Sequence, residues 1–168
     1  MNQTEVLITF YSRRGSTERL ALATAVGAVQ ARANIRLRRL PDSGIATTVE
    51  ESRECKETLA RMRKEYVAPT EVDVLRADAL VFVAPFGFNT SSGEWTEYFS
   101  LLTRLQSEGK LHGKVGAAIA ASGTALAVLS ATILQLGLIA IPPASEDPAI
   151  QGRRVAAEAR AVKESRLI

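Results

Sequence analysis

The sequence predicts an α/β fold built on a doubly wound parallel sheet, and three observations predict it. Apolar runs of strand length alternate with helix-period segments along the whole chain. The runs are continuously apolar, as in strands covered on both faces, instead of alternating apolar and polar. The first of them stops at a hydroxyl- and glycine-rich loop, and a helix pattern begins at once.

The first strand spans about 5–11, with Val6, Leu7, Ile8, Phe10 and Tyr11, and leads to a helix over about 17–31 with apolar positions Leu20, Leu22, Ala25, Val26 and Val29. Ile35, Leu37 and Leu40 alternate with arginines, as in a strand exposed on one face and near a sheet edge. Pro41-Asp42-Ser43-Gly44 reads as a turn. From about 48 to 66 the chain is rich in Glu, Arg and Lys, with Val49, Cys55, Leu59 and Met62 on one side, which predicts an exposed amphipathic helix. A buried strand follows at 79–84, then a loop over 85–92 and a helix through Trp95, Phe99, Leu101, Leu102 and Leu105. Residues 114–121 make the next strand, 125–136 a helix, 138–141 the last strand and 148–163 the final helix. Strict alternation of this kind implies one sheet and a single domain over residues 1–168.

Composition narrows the function classes. With 46% hydrophobic and 23% charged residues the chain is an ordinary globule with room for one core. No apolar run has the length of a membrane span, and the polar start (Asn2, Gln3, Glu5) does not resemble a signal peptide, so a cytoplasmic location is expected. A lone Cys55 and a single His112 offer no disulfide and no metal-ligand spacing. The net charge of +3 is modest for a nucleic-acid binder, and no aromatic residues interleave the basic ones, so the arginines read as solvated on helix and strand faces.

Ligands of a doubly wound sheet bind at the carboxyl ends of its strands, where three loops converge. In the first, Ser12, Gly15, Ser16 and Thr17 offer hydroxyls, a residue free to take positive φ and the positive end of a helix dipole, the makings of a phosphate cradle. Taken alone, the same residues read equally as turn and N-cap chemistry. The second loop carries the rings of Phe86 and Phe88, Gly87 between them and the amide of Asn89; the third is Ser122-Gly123-Thr124. A phosphate site at one end, an aromatic platform and backbone donors at the other fit flavin mononucleotide (FMN) better than a purine nucleotide. Phe88 is the ring expected to meet the flavin, and Trp95, early in its helix, is expected in the core or at a dimer contact.

The chain resembles the flavodoxin-like superfamily and, within it, the WrbA-type NAD(P)H:quinone oxidoreductases. The resemblance rests on Tyr-Ser-x-x-Gly-Ser-Thr at 11–17, Ala-Asp-Ala-Leu-Val-Phe at 77–82, Pro85 and Phe88, Ser92-Gly93, Gly113-Lys114, Ser122-Gly123-Thr124 and Leu-Gly-Leu-Ile-Ala-Ile-Pro at 136–142. It implies a five-stranded sheet of order 2-1-3-4-5 with helices on both faces. It implies FMN, with its phosphate held by Ser12, Arg13, Arg14, Gly15, Ser16 and Thr17, its ring flanked by Pro85, Phe86, Gly87, Phe88 and Asn89, and its pyrimidine side touched by Ser122, Gly123 and Thr124. It further implies NAD(P)H as electron donor, quinone-like acceptors and a homodimer or homotetramer. The chain departs from those enzymes at Ala125-Leu126-Ala127, where they carry a glycine run, and at Leu136, where they carry a histidine. It departs also at Gly87, in place of an arginine, at Asn89, in place of a glycine, and in the short segment 143–146. Two other functions compatible with the same fold are an electron-carrier module, against which the positive charge counts, and an interaction protein that has lost tight flavin binding.

Overall fold

The computed structural model describes residues 3–43, 52–88, 92–143 and 147–168. Five parallel strands stand in the order β2-β1-β3-β4-β5. They are β1 (Glu5–Phe10), β2 (Asn34–Arg39), β3 (Ala79–Ala84), β4 (Val115–Ala120) and β5 (Ile139–Ala140). The helices are α1 (Ser16–Gln30), α2 (Arg53–Glu65), α3 (Glu71–Arg76), α4 (Gly93–Ser107), α5 (Gly123–Gln135) and α6 (Pro148–Ser165). The fold class is the one the sequence predicts, and the strand order is the one the resemblance implies.

Period-two geometry divides the sheet into two cores. On one face Leu7, Leu80, Phe82 and Ala118 pack with Val74 of α3, Trp95, Tyr98, Leu102 and Leu105 of α4 and Leu129 and Ile133 of α5. On the other, Val6, Ile8, Phe10, Val81, Val83, Val115, Ala117 and Ile119 pack with Ala21, Ala25 and Ala28 of α1 and Val155, Ala156 and Ala159 of α6. Residues of β1, β3 and β4 are buried on both sides, which is why their sequences read as unbroken apolar runs.

Four expectations need correction. In α1, Ala25 is buried and Leu20 packs against the core as expected, but Leu22, Val26 and Val29 are exposed, and the rest of the inward face is made of small residues, Ala21, Thr24, Gly27 and Ala28. The cause is a close crossing with α6: a Cβ on Gly27 would collide with the Ala149 carbonyl, and one on Gly152 with that of Thr24. A helix α3, not expected from the pattern, is fixed by a capping box in which Thr70 and Asp73 each accept from the other's backbone N–H. The last strand has only two residues, because Pro142 and Pro143 follow Ile141 and offer no N–H to a ladder. The arginines of β2 are not simply solvated: Arg36 pairs with Glu5, Arg38 with Asp73, and Arg39 is 5% exposed. The part of the 48–66 expectation over 48–51 lies outside the described residues, and the remainder is α2 with Leu59 and Met62 buried.

Candidate functional site

Parallel pairing puts the loops after β1, β3 and β4 at one end of the sheet. After Phe10 the chain turns through Tyr11 and Ser12, and Gly15, at φ +94°, starts α1 as its N-cap. That left-handed conformation suits a residue without a Cβ. A glycine N-cap supplies no side-chain acceptor, so α1 opens without a side-chain cap and with the positive end of its dipole toward the loop. The Ser12 hydroxyl accepts from the Gly15 N–H at 3.0 Å and closes the turn. Ser12 and Thr17 are buried, Arg13 is half-buried, and Arg14 and Ser16 face solvent.

Two ion-pair networks hold this loop from behind. Arg39, at the end of β2, donates two hydrogen bonds to the Ser12 carbonyl (3.1 and 2.9 Å) and one to Asp42 (3.0 Å), with its guanidinium 5.3 Å from the centre of the Tyr11 ring. Asp42 also accepts from the Tyr11 hydroxyl and from Arg63. Burial raises the Asp42 pKa, but the hydrogen bonds from Arg63, Arg39 and Tyr11 outweigh it and bring the carboxyl down to about 2. Burial and the bond to Asp42 push the Tyr11 phenol up to about 12. In the second network the buried Glu18 of α1 accepts from both terminal nitrogens of Arg61 and from the Tyr66 hydroxyl. The Arg61 bonds hold the Glu18 carboxyl below the usual range, against the opposing effect of burial. This pairing ties α2 to the start of α1.

The loop after β3 separates its two rings. Phe86 is 76% exposed, whereas Phe88 is 4% exposed and packs edge-on against Trp95, ring centres 5.4 Å apart, with Phe99 also beside it. The expectation that Phe88 presents its ring to a ligand is therefore reversed. The turn in which the Phe88 N–H bonds the Pro85 carbonyl points residue 88 into the core and leaves residue 86 outside. Trp95 is fully buried in that core. Pro85 is half-buried, and among the described residues a Cβ on Gly87 would meet nothing within 4 Å. Asn89 lies outside the described residues.

The third loop joins the second. Ser122 caps α5 by accepting from the Ala125 N–H (3.2 Å) and donates to the Phe86 carbonyl (3.3 Å). Gly123 and Thr124 are exposed. Beside Ser122 and Gly123 lies a cleft of about 690 Å³ whose walls include Leu20 of α1, Ile119, Leu126 and Gln151. The cleft thus lies between the Ser122 loop and the first turns of α1 and α6. The arrangement offers an uncapped helix start flanked by arginines for an anion, an exposed aromatic ring for a planar group, and open backbone at Gly87 and Gly123. These features fit a phosphate-bearing planar cofactor such as FMN. Sequence reasoning missed Arg39, Asp42, Glu18 and Arg61. For Arg39 the signal was present: with Ile35 and Leu37 turned to the core, period two sends residue 39 inward as well.

Comparison with known proteins places these loops in a family context. The family described as NADPH-dependent FMN reductase matches residues 6–145. A protein of Archaeoglobus fulgidus named NAD(P)H dehydrogenase (quinone) is 28% identical over 150 residues, covering 84% of this chain and 78% of the relative. One of the same name from Geotalea uraniireducens is 32% identical over 131 residues, covering 77% of this chain; the chain spans only 64% of that relative, less than two thirds of its length. Among solved structures, the WrbA-like flavodoxin from Agrobacterium tumefaciens superposes with a TM-score of 0.63 at 18% identity, covering 95% of this chain and 99% of the other. Among the described residues no helix is long and apolar enough to cross a membrane.

Proposed function

The chain belongs to the NADPH-dependent FMN reductase family, and from that premise we propose that it is an FMN-dependent oxidoreductase that takes electrons from NAD(P)H and passes them to quinones or similar acceptors. The observation that carries the reading is the cradle at the start of α1: Gly15 at φ +94° on a helix without a side-chain cap, at the same sheet end as the bonded loops of Phe86 and Ser122.

In this reading the loop from Ser12 through Arg13, Arg14, Gly15 and Ser16 to Thr17 holds the phosphate. Its backbone donors and the dipole of α1 serve that role, while Ser12 itself keeps the turn closed. Pro85, Phe86 and Gly87 flank the ring, with Phe86 supplying the exposed aromatic surface and Phe88 anchoring the loop from below. Ser122, Gly123 and Thr124 border its polar edge. When bound, FMN would supply the redox chemistry, a two-electron exchange between the nicotinamide and the acceptor. The protein orients the partners, and its hydroxyl bridge from Ser122 to the Phe86 carbonyl keeps two walls of the site in register. A homodimeric or homotetrameric assembly belongs to the same proposal and rests on the resemblance alone; a cytoplasmic location is proposed with it.

The test is steady-state oxidation of NADH and NADPH by the FMN-loaded protein with a water-soluble benzoquinone. Turnover dependent on both FMN and quinone is the expected result. FMN binding without turnover would favour the electron-carrier reading instead.

A further inference from the structure

We infer that Arg39 is a specificity-determining positioning residue, which fits the loop after β1 to a phosphorylated flavin in preference to an unphosphorylated one. This rests on the FMN reading and goes beyond it, because Arg39 belongs to β2 and lies outside the loop itself.

The Arg39 side chain is 4% exposed, and its guanidinium sends two donors to a single acceptor, the Ser12 carbonyl. No described peptide bond is cis. In a trans peptide the carbonyl and the following N–H point to opposite sides, so fixing the Ser12 carbonyl toward β2 turns the Arg13 N–H away from it. The fork therefore sets the plane of the first peptide in the loop. A lysine would keep the charge but lose the fork.

Behind the loop, Arg39 and Arg63 share one carboxylate, Asp42, and the Tyr11 phenol bonded to it is held neutral by its raised pKa. Two cations against one anion leave this hydrogen-bonded cluster with net charge +1, Glu94 and Arg13 acting on Tyr11 with opposite charges, and its Arg39 member is desolvated, where a charge is felt further than in water. A dianionic phosphate group gains from that field, and a flavin without phosphate does not. By contrast Arg61, the cation of the neighbouring network, is met by both Glu18 and Glu65.

The experiment titrates FMN and riboflavin, by quenching of flavin fluorescence, into the wild-type protein and the variants Arg39→Lys, Arg39→Met and Asp42→Asn. The wild type is expected to prefer FMN. Arg39→Met is expected to weaken FMN binding about tenfold or more while changing riboflavin binding less than about twofold, the signature of a lost charge-assisted contribution. Arg39→Lys should fall between. Asp42→Asn raises the cluster charge and is expected to strengthen FMN binding relative to riboflavin, a readout that stands even where Arg39→Met does not fold. Equal losses for both flavins in Arg39→Met would make Arg39 merely structural and overturn the inference, as would an unchanged or lower FMN preference in Asp42→Asn. A wild type that binds neither flavin would overturn the FMN reading together with it. A wild type selective for FMN beside selectivity-neutral variants would overturn this inference alone.

Discussion

Replacing Gly15 by valine should cost both stability and FMN affinity, and the structure says through which term. Space is not the obstacle: a Cβ at Gly15 would stand 3.4 Å from the Thr58 methyl and 3.9 Å from a Glu18 carboxylate oxygen, which are ordinary contacts. The obstacle is φ +94°. An L-residue held in left-handed backbone costs about 1–2 kcal/mol, and a β-branched one reaches the upper part of the roughly 1–3 kcal/mol range for strained backbone. For a chain of this size about 2 kcal/mol corresponds to a fall in Tm of roughly 4–8 °C. The loop can escape the strain only by rotating the Gly15 peptide, which breaks the bond from the Gly15 N–H to Ser12 and reshapes the cradle. Thermal unfolding and FMN titration of Gly15→Val, Gly15→Ala and Gly15→Asn test this together. Valine should lose the most, alanine less, and asparagine least, because Asn tolerates the left-handed region. Losses that follow side-chain size, with alanine least and asparagine close to valine, would show that crowding and not φ is decisive. Unchanged Tm and unchanged FMN affinity in Gly15→Val would refute the assignment of the cradle.

Other expectations follow from burial and charge. Phe86→Ala should weaken FMN binding and leave stability within about 0.5 kcal/mol, as for exposed positions; Phe88→Ala should cost about 3–5 kcal/mol in urea unfolding because its ring is packed on Trp95. Gly152→Val should destabilise by more than about 2 kcal/mol, since its Cβ would collide with the Thr24 carbonyl at the crossing of α1 and α6. Asp42 has a depressed folded-state pKa, so its contribution is complete above its ordinary 3.8 and is lost as pH falls toward about 2. The difference in unfolding free energy between wild type and Asp42→Asn should therefore shrink across that window, by about 1–2 kcal/mol after allowing for partial solvent screening; a pH-independent difference would contradict the network.

The fold was legible because its signals are local. Unbroken apolar runs such as Ala79–Ala84 mark strands covered on both faces, and Ser-Gly-rich breaks mark the helix starts that follow. The three loops of the candidate site could be placed at one sheet end for the same reason, since parallel pairing leaves no other arrangement. What the sequence did not disclose depends on partners distant along the chain. The small-residue face of α1 is chosen by the glycine crossing with α6, more than a hundred residues away, so hydrophobicity alone placed Leu20 and Ala25 correctly but turned Leu22, Val26 and Val29 the wrong way. Which of Phe86 and Phe88 faces outward is decided by the one turn from Pro85 to Phe88 and by the Trp95 ring beneath it. Arg39 was hidden in a run of arginines whose other members pair at the surface, although its parity in β2 pointed inward. The two-residue β5 and the capping-box helix α3 are short elements whose signals, a Pro-Pro pair and a Thr-x-x-Asp, are weaker than the periodicity around them.

The central claim is that the end of the sheet bearing Gly15, Phe86 and Ser122 holds FMN. Titration of the purified protein with FMN, followed by visible absorption and flavin fluorescence, tests it most directly. Saturable binding with shifted flavin bands and quenched fluorescence, weakened in Gly15→Val and Phe86→Ala, is the predicted result. Absence of binding at micromolar FMN by a folded protein would contradict the claim and favour an interaction protein built on the same fold.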